Sequence, residues 1–171
     1  MEEIVRFETE EVERQALEKR KRMLADARAA LKKHDGDPMA FIATARCCKQ
    51  LGRLQETLDI LRQGISRCAR SAILYEYYIE RLEKCNRTEE AIAAAHEAAL
   101  LFPNDIIFPL REALLLPVFY DTREQANYYR RRFAEGLQRM IGVVPLDTRA
   151  QRRRAATAIG KNLNKYLPYQ G

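Results

Sequence analysis

Apolar residues recur along this chain at three- and four-residue spacings rather than at alternate positions, a pattern that predicts helices and no strand. From about Thr9 to Lys33 a narrow stripe runs through Ala16, Leu17, Met23, Leu24, Ala27, Ala30 and Leu31, and the remaining faces are charged. Barely three heptads are present, which favours packing against the following helices over a coiled coil. Asp37 then reads as a cap and Pro38 as the first residue of a new helix. Helices are expected at 38–51, 54–67, 72–85 and 88–101, with turns at Leu51-Gly52 and at Asn86. Beyond them, Phe108 to Leu116 suits a short helix that Pro117 stops. Asp121-Thr122-Arg123-Glu124 reads as a capping box opening a helix that Gly142 ends in a left-handed conformation. A last helix is expected from about Asp147 or Thr148 to Tyr166.

The central helices are in 34-residue phase. Counting from Pro38, the set Phe41, Thr44, Ala45, Cys48, Thr57 and Leu61 is followed 34 residues later by Tyr75, Tyr78, Ile79, Leu82, Ala91 and Ala95, and Pro103 closes the second unit. This order of large and small positions resembles the tetratricopeptide repeat, a pair of antiparallel helices. The resemblance implies an all-α, tetratricopeptide-like helix-hairpin solenoid with a long N-terminal helix and C-terminal capping helices. Residues 1–37 are then an N-terminal capping helix and 38–105 two repeats, while 106–171 form a degenerate third hairpin and linker helices. Each hairpin of such a protein leaves an apolar face that its neighbour covers, so the end helices serve as caps.

Composition narrows the function. No apolar run approaches the roughly 20 residues that cross a bilayer, and Glu2 and Glu3 follow Met1 where an export signal would be basic and then apolar. A cytoplasmic protein without membrane contact is expected. Cys47, Cys48, Cys68 and Cys85 lack paired metal-ligand spacing and His34 and His96 stand far apart, so free thiols, no metal and no cofactor are expected. The net charge of +6 is uneven: residues 120–171 hold 11 Lys/Arg against 4 Asp/Glu, and the first 119 residues hold 19 against 20.

The C-terminal third carries a further resemblance. Leu116-Pro117-Val118-Phe119-Tyr120, then Tyr129-Arg130-Arg131-Arg132-Phe133 with Gly136-Leu137, and finally Asn164-Lys165-Tyr166-Leu167-Pro168-Tyr169-Gln170-Gly171 resemble the linker of bacterial Spindly-type O-linked N-acetylglucosamine transferases. Lys165 stands where that family has an aromatic residue. The resemblance implies repeats that position protein substrates for catalytic lobes beginning after Gly171, with no active site in this stretch. Animal relatives grip peptide backbone with an Asn ladder, but the matching positions here are Ala43, Tyr77 and Arg111, so that mode of recognition does not carry over.

Three surfaces are candidates for partners. The inner-face positions of the two repeats give a protein-binding groove of Ile42, Arg46, Lys49, Glu76, Glu80 and Glu83, and the same charges equally suit exposed ion pairs between repeats. Arg130, Arg131, Arg132, Arg152, Arg153 and Arg154 offer a basic surface for nucleic acid or an acidic protein, the basis of an alternative reading as a stand-alone adaptor. Consecutive helical residues lie about 100° apart, so neither triplet can present all its charges on one face, which argues against nucleic acid. Ile159, Leu163, Tyr166 and Tyr169, behind Ala155 and Ala158, form an apolar stripe that either docks the missing domain or caps the preceding hairpin, and Gly160 in that helix suggests a closely packed second backbone.

Overall fold

The computed structural model describes the backbone of residues 2–68, 70–142, 144 and 146–161, with side chains from 10 to 160 of that set. Among the described residues there are eight helices and no strand: α1 Glu2–Lys33, α2 Pro38–Gln50, α3 Leu54–Arg67, α4 Ala72–Lys84, α5 Thr88–Leu101, α6 Ile107–Leu114, α7 Arg123–Met140 and α8 Arg149–Lys161. The chain is all-α, and it divides into two compact units, Met1–Leu74 and Tyr75–Gly171.

In the first unit, α1 starts well before Thr9, and among its described side chains the one that is buried lies in its C-terminal part. No residue from 10 to 23 is buried, whereas Leu24 is 2% exposed against α2. The exposed part carries pairs along its own surface, Glu11 with Arg14 and Glu18 with Lys21, at the three-residue spacing that brings helix side chains together. The start of α2 follows from Asp37-Pro38: the Asp37 carboxylate accepts the Met39 N–H at 2.9 Å, and Pro38 has no N–H to leave unsatisfied. Phe41, Thr44, Ala45, Cys48, Thr57 and Leu61 are all buried. The two threonines fit a close helix approach because each hydroxyl bonds the carbonyl one turn back, Thr44 to Ala40 at 2.8 Å and Thr57 to Arg53 at 2.8 Å.

The second unit repeats this arrangement, with Tyr75, Tyr78, Ile79, Leu82, Ala91 and Ala95 buried. Tyr75 donates its phenol to Glu97 at 2.7 Å and meets Phe102 and Phe108 edge-on, at centroid distances of 6.0 and 6.4 Å, tying α4 to α5 and α6. Between α4 and α5, Asn86 takes the left-handed conformation (φ 57). Its side-chain oxygen accepts the N–H groups of Val118 and Phe119 at 2.8 and 3.2 Å, which anchors the link from α6 to α7.

Two boundaries differ from expectation. α6 stops at Leu114, two residues early: Leu115 is extended (ψ 131), and the Pro117 ring, which would meet the Ala113 carbonyl in a continued helix, favours an earlier end. The α7 cap is shifted by one: Thr122 accepts the Gln125 N–H at 3.1 Å, and the Gln125 side chain accepts the Asp121 N–H at 2.7 Å, so Gln125 rather than Glu124 closes the box. Gly142 is left-handed after α7 (φ 81), as its position implied.

Candidate partner-binding faces

α4 places Glu76, Glu80 and Glu83 at spacings of four and three, one helical face. All three are half-buried. Arg111 of α6 reaches this face from a site only 3% exposed, donating to the Glu76 carbonyl at 3.3 Å and pairing with the Glu83 carboxylate at 3.5 Å. Its Nε has no hydrogen-bond partner. Arg154 of α8 comes to the same face: it pairs with Asp105 at 2.5 Å and with Glu76 at 3.4 Å. The Asp105 bond raises the Arg154 guanidinium above its ordinary value, against the opposing effect of burial. Glu80 is partnered within its own helix, by Arg81 at 2.6 Å and Lys84 at 2.7 Å. Burial pushes the Glu80 carboxyl up, but these two cations outweigh it and hold it below the usual carboxylate range.

On α2 the expected groove positions split. Arg46 and Lys49 are exposed. Ile42 is not a groove residue: it is 0% exposed, because an isoleucine next to Phe41 at the start of α2 is drawn into the core.

The two arginine triplets are divided between the surface and half-buried sites. Arg132 is half-buried and turns its guanidinium onto the end of α6, donating to the carbonyls of Glu112, Ala113 and Leu115, the last two at 3.2 Å. Burial lowers its ordinarily very high pKa. Arg152 donates to Leu146 O at 2.7 Å and Asp147 O at 2.9 Å, bracing the turn that enters α8, while Arg154 is held by Asp105 and Glu76. Arg130, Arg131, Arg152 and Arg153 are exposed. The physical reason is the one that splits any helical triplet: one member lands on the packed side, and there it finds carbonyls or carboxylates lacking a donor.

Ile159 of the docking stripe is 54% exposed, while Ala155 and Ala158 are buried. Leu163, Tyr166 and Tyr169 lie outside the described residues. A Cβ at Gly160 would meet nothing within 4 Å among the described residues. The close approach belongs to Gly136 of α7, where a Cβ would lie 2.6 Å from the Ala113 carbonyl oxygen.

Sequence reasoning missed Asp105 and assigned Arg111 only a negative role. Asp105 accepts the Ile107 N–H at 3.1 Å, opening α6, and the pattern Asn104-Asp105 before an apolar helix was the available signal. Among the described residues no group of three or more His, Cys, Asp or Glu side chains is placed to hold a metal, and no helix is long and apolar enough to cross a membrane. The Cys48 thiol is buried in α2, and burial pushes it up to about 11. No protein-family model matches this chain, and no curated protein matches it.

Proposed function

We propose that the chain is a tetratricopeptide-like protein-binding module that recruits or positions protein partners for a Spindly-type O-glycosyltransferase, and contributes no catalytic group of its own. The observation that supports it is the 34-residue recurrence of buried positions: all twelve, from Phe41 to Ala95, lie in the helix-hairpin cores. Hairpins built this way bind through the faces that core positions leave outside, here Arg46 and Lys49 on α2 and the acidic row on α4. The linker signatures from Leu116 to Leu137 supply the glycosyltransferase part of the reading.

The test uses the complete protein encoded by the gene. Coding sequence beyond Gly171 without glycosyltransferase lobes removes the enzymatic half of the proposal. With the lobes present, Arg46→Glu with Lys49→Glu should lower kcat/KM for an intact protein acceptor by tenfold or more, and leave hydrolysis of the nucleotide sugar unchanged. Equal loss of both activities would place these residues outside partner recognition. The alternative, an adaptor whose basic end binds nucleic acid, is weakened because Arg132 and Arg154 direct their donors to half-buried acceptors within the unit.

A further inference from the structure

α8 carries Arg149, Arg152, Arg153 and Arg154 and no carboxylate. Arg149 stands in its first turn, where a positive charge opposes the helix dipole. An isolated helix of 13 residues is marginal in water, so α8 owes its form to what it rests on. It rests on little: among its described residues only Ala155 and Ala158 are buried, and Arg154 is its only described side chain paired with a carboxylate across the unit. An apolar cleft of about 560 Å³, lined by Pro103, Ile106, Pro109 and Met140, stays open beside Ala150 and Arg154. Yet the surface it occupies is well built for such a helix. Glu76 and Asp105, each less than one-fifth exposed, converge on one guanidinium from α4 and from the start of α6.

We propose that this Glu76–Asp105 cleft is a recognition site for an arginine-bearing helical segment of a partner protein, and that α8 is its resident stand-in. The inference rests on the protein-binding reading above for the kind of partner. The ligand chemistry is that of α8: an arginine for the two carboxylates, followed by alanine-sized residues at the next and fourth positions, as in Arg154, Ala155 and Ala158, which let the helix lie close. A partner helix with that pattern and a better-filled apolar side would use the open cleft that α8 leaves, and would displace it. Charge complementarity selects the occupant, since the face is acidic and only a cationic side chain satisfies both carboxylates. An acidic or neutral segment would not supply the cation that Arg154 gives Glu76 and Asp105.

The probe is a fluorescent synthetic peptide of residues 147–161, which contains the α8 cap and helix, titrated against the full chain. Two variants release the tethered α8 by different means: Arg154→Glu repels Glu76 and Asp105, and Ala158→Glu overfills a buried alanine site. Both should bind the peptide at least tenfold more tightly than the wild type does, because its own α8 competes there. Adding Glu76→Gln and Asp105→Asn to Arg154→Glu should remove that gain, although asparagine still caps α6. A peptide with alanine in place of its arginine for Asp105 should lose binding tenfold or more. Equal binding to wild type and both opened chains, or binding indifferent to Glu76 and Asp105, would overturn the proposal. So would the absence of binding by opened chains whose circular dichroism and unfolding transitions match the wild type in all but α8. Because the probe comes from this chain, the outcome is independent of whether any glycosyltransferase partner exists.

Discussion

Replacing Gly136 by alanine should destabilise the second unit, although alanine is the better helix former. In an exposed helix interior the change gains about 1 kcal/mol. Here the new Cβ would sit 2.6 Å from Ala113 O and 3.1 Å from Ala113 Cβ, both on α6. Carbon atoms at rest lie about 3.5–4.0 Å apart, so α7 must retreat by several tenths of an ångström from a backbone that cannot rotate away. Overfilling of this kind costs about 1–3 kcal/mol. The retreat also draws Arg132 off the carbonyls of Glu112, Ala113 and Leu115, and a half-buried carbonyl left without its donor costs about 1 kcal/mol or more. The balance is a net loss of about 2 kcal/mol, a fall of roughly 8–16 °C in the transition that melts α6 and α7. Thermal and urea unfolding by circular dichroism measure it, and hydrogen exchange identifies which helices open. Gly160→Ala is the control, because its Cβ meets nothing: it should raise the protection of α8, by up to about 1 kcal/mol. If Gly136→Ala is neutral or stabilising, the close approach of α6 and α7 is not what requires glycine.

Asn86→Gly should cost about 1–2 kcal/mol through loss of the bonds to Val118 and Phe119, and Asn86→Ala about 1 kcal/mol more, because alanine resists the left-handed conformation. Urea titration ranks the three proteins. Arg132→Lys should lose about 1–2 kcal/mol, since a single ammonium cannot span three carbonyls, while Arg131→Lys should change stability by less than about 0.5 kcal/mol. Similar effects at the two sites would contradict the inward role of Arg132. Cys48 has a folded thiol value of about 11 against an ordinary 9.0, so its contribution is fully present below pH 9 and is lost as pH rises towards 11. In Cys48→Ala the decline of urea stability over that window should be shallower than in the wild type, whatever the change in absolute stability.

The helix boundaries around the repeats were legible because their causes are local. Asp37-Pro38 specifies a start by hydrogen bonding and φ, and Asn86 and Gly142 specify stops by accepting positive φ; neither depends on what the helix later touches. The buried repeat positions were legible for a related reason, since a 34-residue phase repeats the same packing problem twice and the two solutions support each other. The α7 cap was displaced by one residue because Asp121-Thr122 offers two competent caps in succession, and only the side chain that meets a free N–H decides between them.

The arginines were not legible, and the reason bears on the function. Six guanidiniums in two runs carry the same charge in the sequence, but their roles depend on which unsatisfied acceptors the neighbouring helices leave open. The extended Leu115 frees the last carbonyls of α6, and Arg132 takes them because it lies one turn from buried Tyr129 and Gly136. Arg154 is drawn to Asp105 because that carboxylate is already fixed by the Ile107 N–H and needs a cation once α8 covers it. Charge that would have suggested a diffuse nucleic-acid surface is thereby turned into two specific bonds holding α7 and α8 to α6. Specific bonds can be exchanged for equivalent ones from another chain. Arg132 and Arg154 are thereby committed within the unit, while Arg130, Arg131, Arg152 and Arg153 stay exposed.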